Sequence, residues 1–157
     1  DSEGNYNPEY ETIPKVEYVS LWDFYPDPDA RNMDEAEYTV QRHRLNRTQM
    51  RSLKKRPHFR DESIELAIEG GTNYVRQYWE DSLDDSGMVD GIDRYEILEY
   101  WGVLDSELSE EAEIEIPESL EDRDELQVNI WVCNGQILRL VLNPFSPTRI
   151  PYSCVPY

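Results

Sequence analysis

The stretch that most constrains this chain is the pair of apolar runs at residues 128–133 (VNIWVC) and 137–142 (ILRLVL), joined through Asn134-Gly135. Asn-Gly tolerates positive φ at both central turn positions. A type I′ turn needs that, and its twist matches the twist of paired strands. Asn143-Pro144 then stops the second run, because proline has no N–H to give a ladder. The spacing therefore predicts a β-hairpin, and a sheet to receive it.

A partner for that hairpin lies upstream. Residues 92–104 (IDRYEILEYWGVL) are ambiguous by period, but their β-branched and aromatic content favours a strand. A three-stranded antiparallel meander over 93–104, 127–133 and 136–142 is expected. Further back, residues 16–25 (VEYVSLWDFY) read as a strand ended by Pro26-Asp27-Pro28-Asp29, whose prolines exclude a ladder. Residues 32–35 read as a turn. Residues 37–45 alternate cleanly, with Tyr38, Val40, Arg42 and Arg44 on one face and Glu37, Thr39, Gln41, His43 and Leu45 on the other. Asn46-Arg47-Thr48 offers a cap for a short helix over 48–55, which Pro57 ends. Residues 61–83 carry the best helical period. Ile64, Ala67 and Ile68 share one face. After Gly70-Gly71, Tyr74, Val75, Tyr78 and Trp79 share another, so two helices are expected. The fold class is α+β: an antiparallel β-meander with two or three short helices. Residues 1–15 form an extended lead-in and 16–157 a single domain. An acidic insertion spans 105–125, partly helical at 117–124.

At 157 residues the chain can bury one core. Hydrophobic content of 38% is low, but eleven Tyr, four Trp and three Phe are too many for a disordered chain. Trp22, Trp79, Trp101 and Trp131 are expected in the core. The net charge of −19 argues against a sequence-specific nucleic-acid reader, though not against a surface past which DNA must slide. The charges are segregated. Residues 42–60 hold eight bases and no acid, and residues 84–125 hold seventeen acids and two bases. The eight are Arg42, Arg44, Arg47, Arg51, Lys54, Lys55, Arg56 and Arg60. They are the candidate contact residues, for a neighbouring subunit or for a DNA backbone. Compensation of the acidic stretch or subunit contact is favoured over DNA, because aromatics do not interleave the bases as they do in single-strand binders.

Asp23, Asp27 and Asp29 could line a Mg²⁺ or Ca²⁺ loop, but they lack the alternation of an EF-hand, and turn and cap chemistry is the preferred reading. His43 and His58 do not have zinc-site spacing, and no nucleophile-elbow, P-loop or dinucleotide motif is present. No catalytic residue, metal or cofactor is assigned. Cys133 reads as a small buried apolar residue, and two cysteines make no disulfide framework. No apolar run reaches the roughly 18 residues of a membrane span, and no signal peptide is visible, so a cytosol-made protein with no membrane partner is expected. The start at Asp1 and the apolar ending at Tyr157 suggest a segment of a longer chain.

Two blocks resemble the wing region of tailed-bacteriophage portal proteins, most closely those of short-tailed phages. The first is VSLWDFYPDPDARNMDEAEYTVQRHRLNRTQMRSLKKR, with Asp23-Phe24, Asp27-Pro28-Asp29-Ala30, Ala36 to Val40 with Arg42, and the Thr48 to Leu53 helix. The second is EILEYWGVL, an acidic insertion, the Asn134-Gly135 hairpin, Asn143-Pro144 and Ile150-Pro151-Tyr152. The order and spacing of these motifs carry the likeness, which covers most of residues 16–157. The resemblance implies a non-enzymatic virion protein made in the host cytoplasm. Twelve copies would form a ring at one capsid vertex, through which DNA enters and leaves. The implied partners are other copies of the chain, terminase, tail adaptors, capsid proteins and double-stranded DNA passing non-specifically. An acidic cytosolic adaptor that grips a basic partner through residues 105–125 is the alternative. A metal-dependent hydrolase built on Asp23, Asp27 and Asp29 is a third reading.

Overall fold

The computed structural model describes residues 15–75, 93–105, 107, 125–145 and 147–154. They form a five-stranded antiparallel sheet in sequence order, with two short helices against one face. The strands are β1 (Phe24–Pro26), β2 (Thr39–Leu45), β3 (Tyr95–Asp105), β4 (Glu125–Cys133) and β5 (Gln136–Leu142). The helices are α1 (Arg47–Ser52), continued by a 3-10 turn at Leu53–Lys55, and α2 (Asp61–Glu69). This is the expected α+β architecture, with the meander extended on its β3 side by β2 and β1.

The hairpin turn forms where the sequence places it. Asn134 has φ 49° and Gly135 φ 72°, and β5 stops at Leu142, one residue before Asn143-Pro144. Asn134 does a second job that only the fold reveals. Its Nδ2 donates to the carbonyls of Ala67 and Gly71, each at 2.8 Å, so the hairpin tip holds the end of α2, where helical carbonyls lack partners.

Strand pairing sets the faces of the sheet. Gln41 opposes Glu99, Glu99 opposes Trp131, and Trp131 opposes Arg139. Alternation then puts Thr39, Gln41, His43, Leu45, Tyr95, Ile97, Trp101, Asn129 and Cys133 on that same face. Over half of it lie the helices. Met50, Leu53, Ile64, Ala67 and Ile68 pack on Tyr95, Ile97, Trp131, Cys133 and Leu138. The opposite face carries a second apolar cluster, with Leu126, Val128 and Leu140 at its centre.

The helix boundaries have local causes. Asn46 and Gln49 form a reciprocal capping box at α1: the Asn46 side chain accepts from the Gln49 N–H at 2.8 Å, and Gln49 Oε1 accepts from the Asn46 N–H at 2.9 Å. Arg56, before Pro57, turns extended with φ −87° and ψ 147°. Asp61 and Glu62 place negative charge in the first turn of α2. Ile64, Ala67 and Ile68 are its buried face, as their spacing predicts.

Three expectations change. Residues 16–25 do not make one long strand. Ser20 Oγ accepts from the Trp22 N–H, and the Asp23 N–H bonds the Ser20 carbonyl, so a 3-10 turn at Leu21–Asp23 replaces the strand and only Phe24–Pro26 pairs. Pro26 does enter the ladder, opposite Thr39, which an edge strand tolerates. Residues 71–75 are not helical: the Tyr74 N–H bonds the Arg94 carbonyl and Asn73 Oδ1 accepts from Glu96 N–H, so the chain leaves α2 toward the start of β3. Trp79, the rest of that expected helix and the expected helix at 117–124 lie outside the described residues.

Candidate functional site: a buried polar rung and a basic shoulder

The polar chemistry of the sheet is concentrated around the Gln41–Glu99–Trp131–Arg139 rung of the helix-bearing face, joined by His43 and Asn129 from the neighbouring rungs. Glu99 is almost fully buried there. Its Oε1 accepts from Trp101 Nε1 at 3.0 Å and Asn129 Nδ2 at 3.1 Å, and its Oε2 meets His43 Nε2 at 2.7 Å. Asn129 carries the network onward, its Oδ1 accepting from Trp131 Nε1 at 3.1 Å and Arg139 Nη1 at 2.8 Å. His43 lies flat on Trp131, with centroids 4.6 Å apart and planes 11° apart. Phe59 meets the same indole edge-on and sits under the Arg139 guanidinium. Burial lowers the Arg139 guanidinium, and the Glu99 carboxylate offsets only part of that. Four strands are thus joined across the sheet by side chains in addition to their backbone ladders.

The end of the described chain straps over this face. Asn143 orders the turn: its Oδ1 accepts from Phe145 N–H and its Nδ2 donates to the Arg149 carbonyl, both at 2.9 Å. Phe145 then contacts Trp101, Tyr152 contacts Phe24, and Tyr152 Oη donates to Gln41 Oε1 at 2.7 Å. Burial, reinforced by the nearby Glu99, raises the Tyr152 phenol far above its ordinary value. Beside the strap runs an open groove of about 1420 Å³, bounded by Tyr38, Tyr100, Val103 and residues 148–153.

The eight candidate bases do not form one surface. Arg42 is buried against Asp23, with Nη2 2.9 Å from Oδ1, and lies within 3.9 Å of Glu96. Arg44 bonds Asp23 Oδ2 at 2.9 Å, and both guanidinium groups stack over Tyr74. Lys54 is paired with Glu65. Arg60 is the residue before α2, and its N–H bonds the Leu138 carbonyl at 2.8 Å. Arg47, Arg51, Lys55 and Arg56 remain exposed along α1 and the 3-10 turn after it, where they form a basic shoulder. Arg47 and Arg51, with Lys54, hold the Glu65 carboxyl below its usual range, the Lys54 bond contributing most.

Asp23 and Asp27 commit their carboxylates to different partners. Asp23 serves the two arginines. Asp27 is buried and uses one oxygen for the Asp29 N–H at 3.0 Å and the other for the Glu37 N–H at 3.2 Å, closing the β1–β2 connection. Among the described residues no group of three or more His, Cys, Asp or Glu side chains is placed to hold a metal ion. His58 has φ 64° and does not join His43. Cys133 is buried, and burial pushes its thiol up to about 11, whereas Cys154 is exposed. Trp101 and Trp131 are core residues, but Trp22 is 56% exposed, against expectation, because the 3-10 turn swings it off the sheet. Among the described residues no helix is long and apolar enough to cross a membrane.

Sequence reasoning missed the rung. Its signal was present: Glu99 falls on the face of β3 that also carries Tyr95, Ile97 and Trp101, and Asn129 interrupts an otherwise apolar run two residues from Trp131. No protein-family model and no curated protein matches the sequence.

Proposed function

We propose that this protein is a structural building block of a phage portal ring, contributing its wing and performing no catalysis. In this role copies of the chain surround the DNA conduit at the capsid vertex. The ring docks terminase during packaging and tail adaptors afterwards.

The observation that carries the reading is where the motif residues spend their bonds. Asp23 ties down Arg42 and Arg44, and Asp27 closes the turn between the first two strands. Asn134 clamps α2, and Tyr152 fixes the strap. Glu99, His43 and Asn129, the polar groups in which chemistry could reside, are committed to one another. Such cross-bracing suits a part that must hold shape in an assembly. A strongly acidic chain also lets DNA pass without sticking.

Negative-stain microscopy of the product of the complete reading frame tests this. Rings with a central channel are expected, and particles that stay monomeric at all concentrations refute it. A salt titration of DNA binding adds a second check. Affinity that is weak at about 50 mM salt and gone by about 200 mM fits non-specific contact through the basic shoulder. Salt-independent, sequence-selective binding is incompatible with the proposal.

A further inference from the structure

Asn134-Gly135 is the one Asn-Gly pair in the chain. Asparagine before glycine is chemically reactive, because glycine has no side chain to hinder its own backbone nitrogen. That nitrogen attacks the asparagine Cγ, the Cγ–Nδ2 bond breaks, and Nδ2 leaves as ammonia. Water then opens the resulting cyclic imide at either carbonyl. One opening gives aspartate, and the other gives isoaspartate, with the backbone rerouted through the former side chain. Solvent supplies the water, nothing is oxidised or reduced, and no enzyme is required.

In the folded protein the leaving group is tied down. Asn134 Nδ2 donates to the Ala67 and Gly71 carbonyls, each at 2.8 Å, so ammonia cannot depart until both bonds break. The amide also lies close against the end of α2: a Cβ placed on Gly70 would stand 3.0 Å from Nδ2 and 3.3 Å from Cγ. Gly135, by contrast, is exposed, and a Cβ there would meet nothing within 4 Å. Solvent reaches the turn, and the restraint falls on the amide. The product undoes that restraint. A carboxylate has no hydrogen to donate and would face two carbonyl oxygens. It would also sit at the negative end of α2, whose last turn holds no base and closes on Glu69. Isoaspartate further lengthens the backbone of a turn that fixes the register of β4 against β5.

We propose that Asn134 is a site of spontaneous deamidation that its clamp on α2 holds in check, and that its conversion permanently loosens the junction between α2 and the hairpin. Molecules react only while the clamp is open, so the modification accumulates as a record of local opening. The site needs no partner and is independent of any assembly of the chain.

Peptide mapping by mass spectrometry, after timed incubation in warm neutral buffer, measures the reaction at Asn134 directly. Wild type is compared with itself in concentrated urea and with Gly70→Ala, and circular dichroism shows which samples are folded. Deamidation should be about tenfold or more slower in the folded protein than in urea, because only open molecules react. Gly70 has φ −62° and ψ −13°, which alanine accepts, so the variant should fold and its methyl group should crowd the amide. Folded Gly70→Ala should therefore react several-fold faster than folded wild type. Asn134→Asp should raise amide hydrogen exchange at the last turn of α2. If that variant does not fold, the deamidated fraction of aged wild type, separated by its added charge, gives the same measurement. Equal rates in buffer and urea, or a Gly70→Ala rate no higher than that of wild type, overturn the protection by the clamp. An unreactive Asn134 in urea overturns the site, and unchanged exchange in the aspartate form overturns the loosening.

Discussion

Replacing Asn129 with alanine tests the polar rung most directly. Asn129 has no exposed surface, and its amide serves side chains on β3, β4 and β5. The substitution strips one donor from Glu99 Oε1 and one acceptor from both Trp131 Nε1 and Arg139 Nη1. An orphaned buried polar group costs about 1–3 kcal/mol, and bonds to charged groups sit at the upper end. Glu99 keeps Trp101 and His43, so its loss is partial. Arg139 fares worse, because its Nε is already buried without a hydrogen-bond partner. Allowing for some relaxation, the expected loss is about 3–5 kcal/mol, a large part of the ~5–15 kcal/mol that holds a typical domain together. Urea unfolding followed by tryptophan fluorescence reads this as a lower midpoint at unchanged slope. A double-mutant cycle with Arg139→Met should give a coupling of at least ~1 kcal/mol, since the two share one bond. A loss under ~1 kcal/mol, or strict additivity, refutes the claim that the rung braces the sheet.

Other substitutions probe separate parts of the fold. Gly102→Ala should cost about 1–3 kcal/mol in the same unfolding assay, the usual range for overpacking, because a Cβ there would lie 2.5 Å from Tyr100 Oη and 2.7 Å from Tyr38 Cβ. Asn134→Ala should cost about 2 kcal/mol and raise amide exchange at the end of α2, since it removes two carbonyl clamps and a residue suited to positive φ. Under native conditions at pH 8.5 a thiol reagent should label Cys154 rapidly and Cys133 only on unfolding. The Cys133 thiol is raised to about 11 in the folded state, against about 8.5 for a free thiol. Its contribution to stability is therefore whole below about pH 8.5 and declines as pH rises toward 11. Cys133→Ala should flatten stability across that alkaline window, and an unchanged alkaline slope would contradict the assigned cause.

Local chemistry was legible in the sequence wherever the backbone itself carries the preference. Asn134-Gly135 dictates a turn because few other pairs accept positive φ twice. Asn46 with Gln49 starts α1, the residue before Pro57 must turn extended, and Ile64, Ala67 and Ile68 at helical spacing mark a buried face. Alternation fixed the two faces of residues 37–45. It failed at residues 16–25, where apolar content resembled a strand but Ser20 and Asp23 gave the backbone a tighter local alternative. It failed again at residues 71–75, where apolar spacing predicted the start of a second helix but Asn73 and Tyr74 are bonded instead to the start of β3.

What the sequence could not settle is which distant residues meet on the same or adjoining rungs. That depends on register, and register is decided by all five strands packing at once. Glu99, Asn129, His43 and Arg139 come from four strands, up to 96 positions apart along the chain, and only pairing brings them within bonding distance. The same holds for the eight bases. Composition showed one basic segment, but folding buried Arg42, tied Arg44 and Lys54 to carboxylates, and left Arg47, Arg51, Lys55 and Arg56 exposed. The sequence by itself determined the turns, the caps and the class of fold, because those are short-range preferences of single residues. Tertiary structure alone decided which charges brace the sheet and which stay exposed, because burial and pairing are properties of the packed whole.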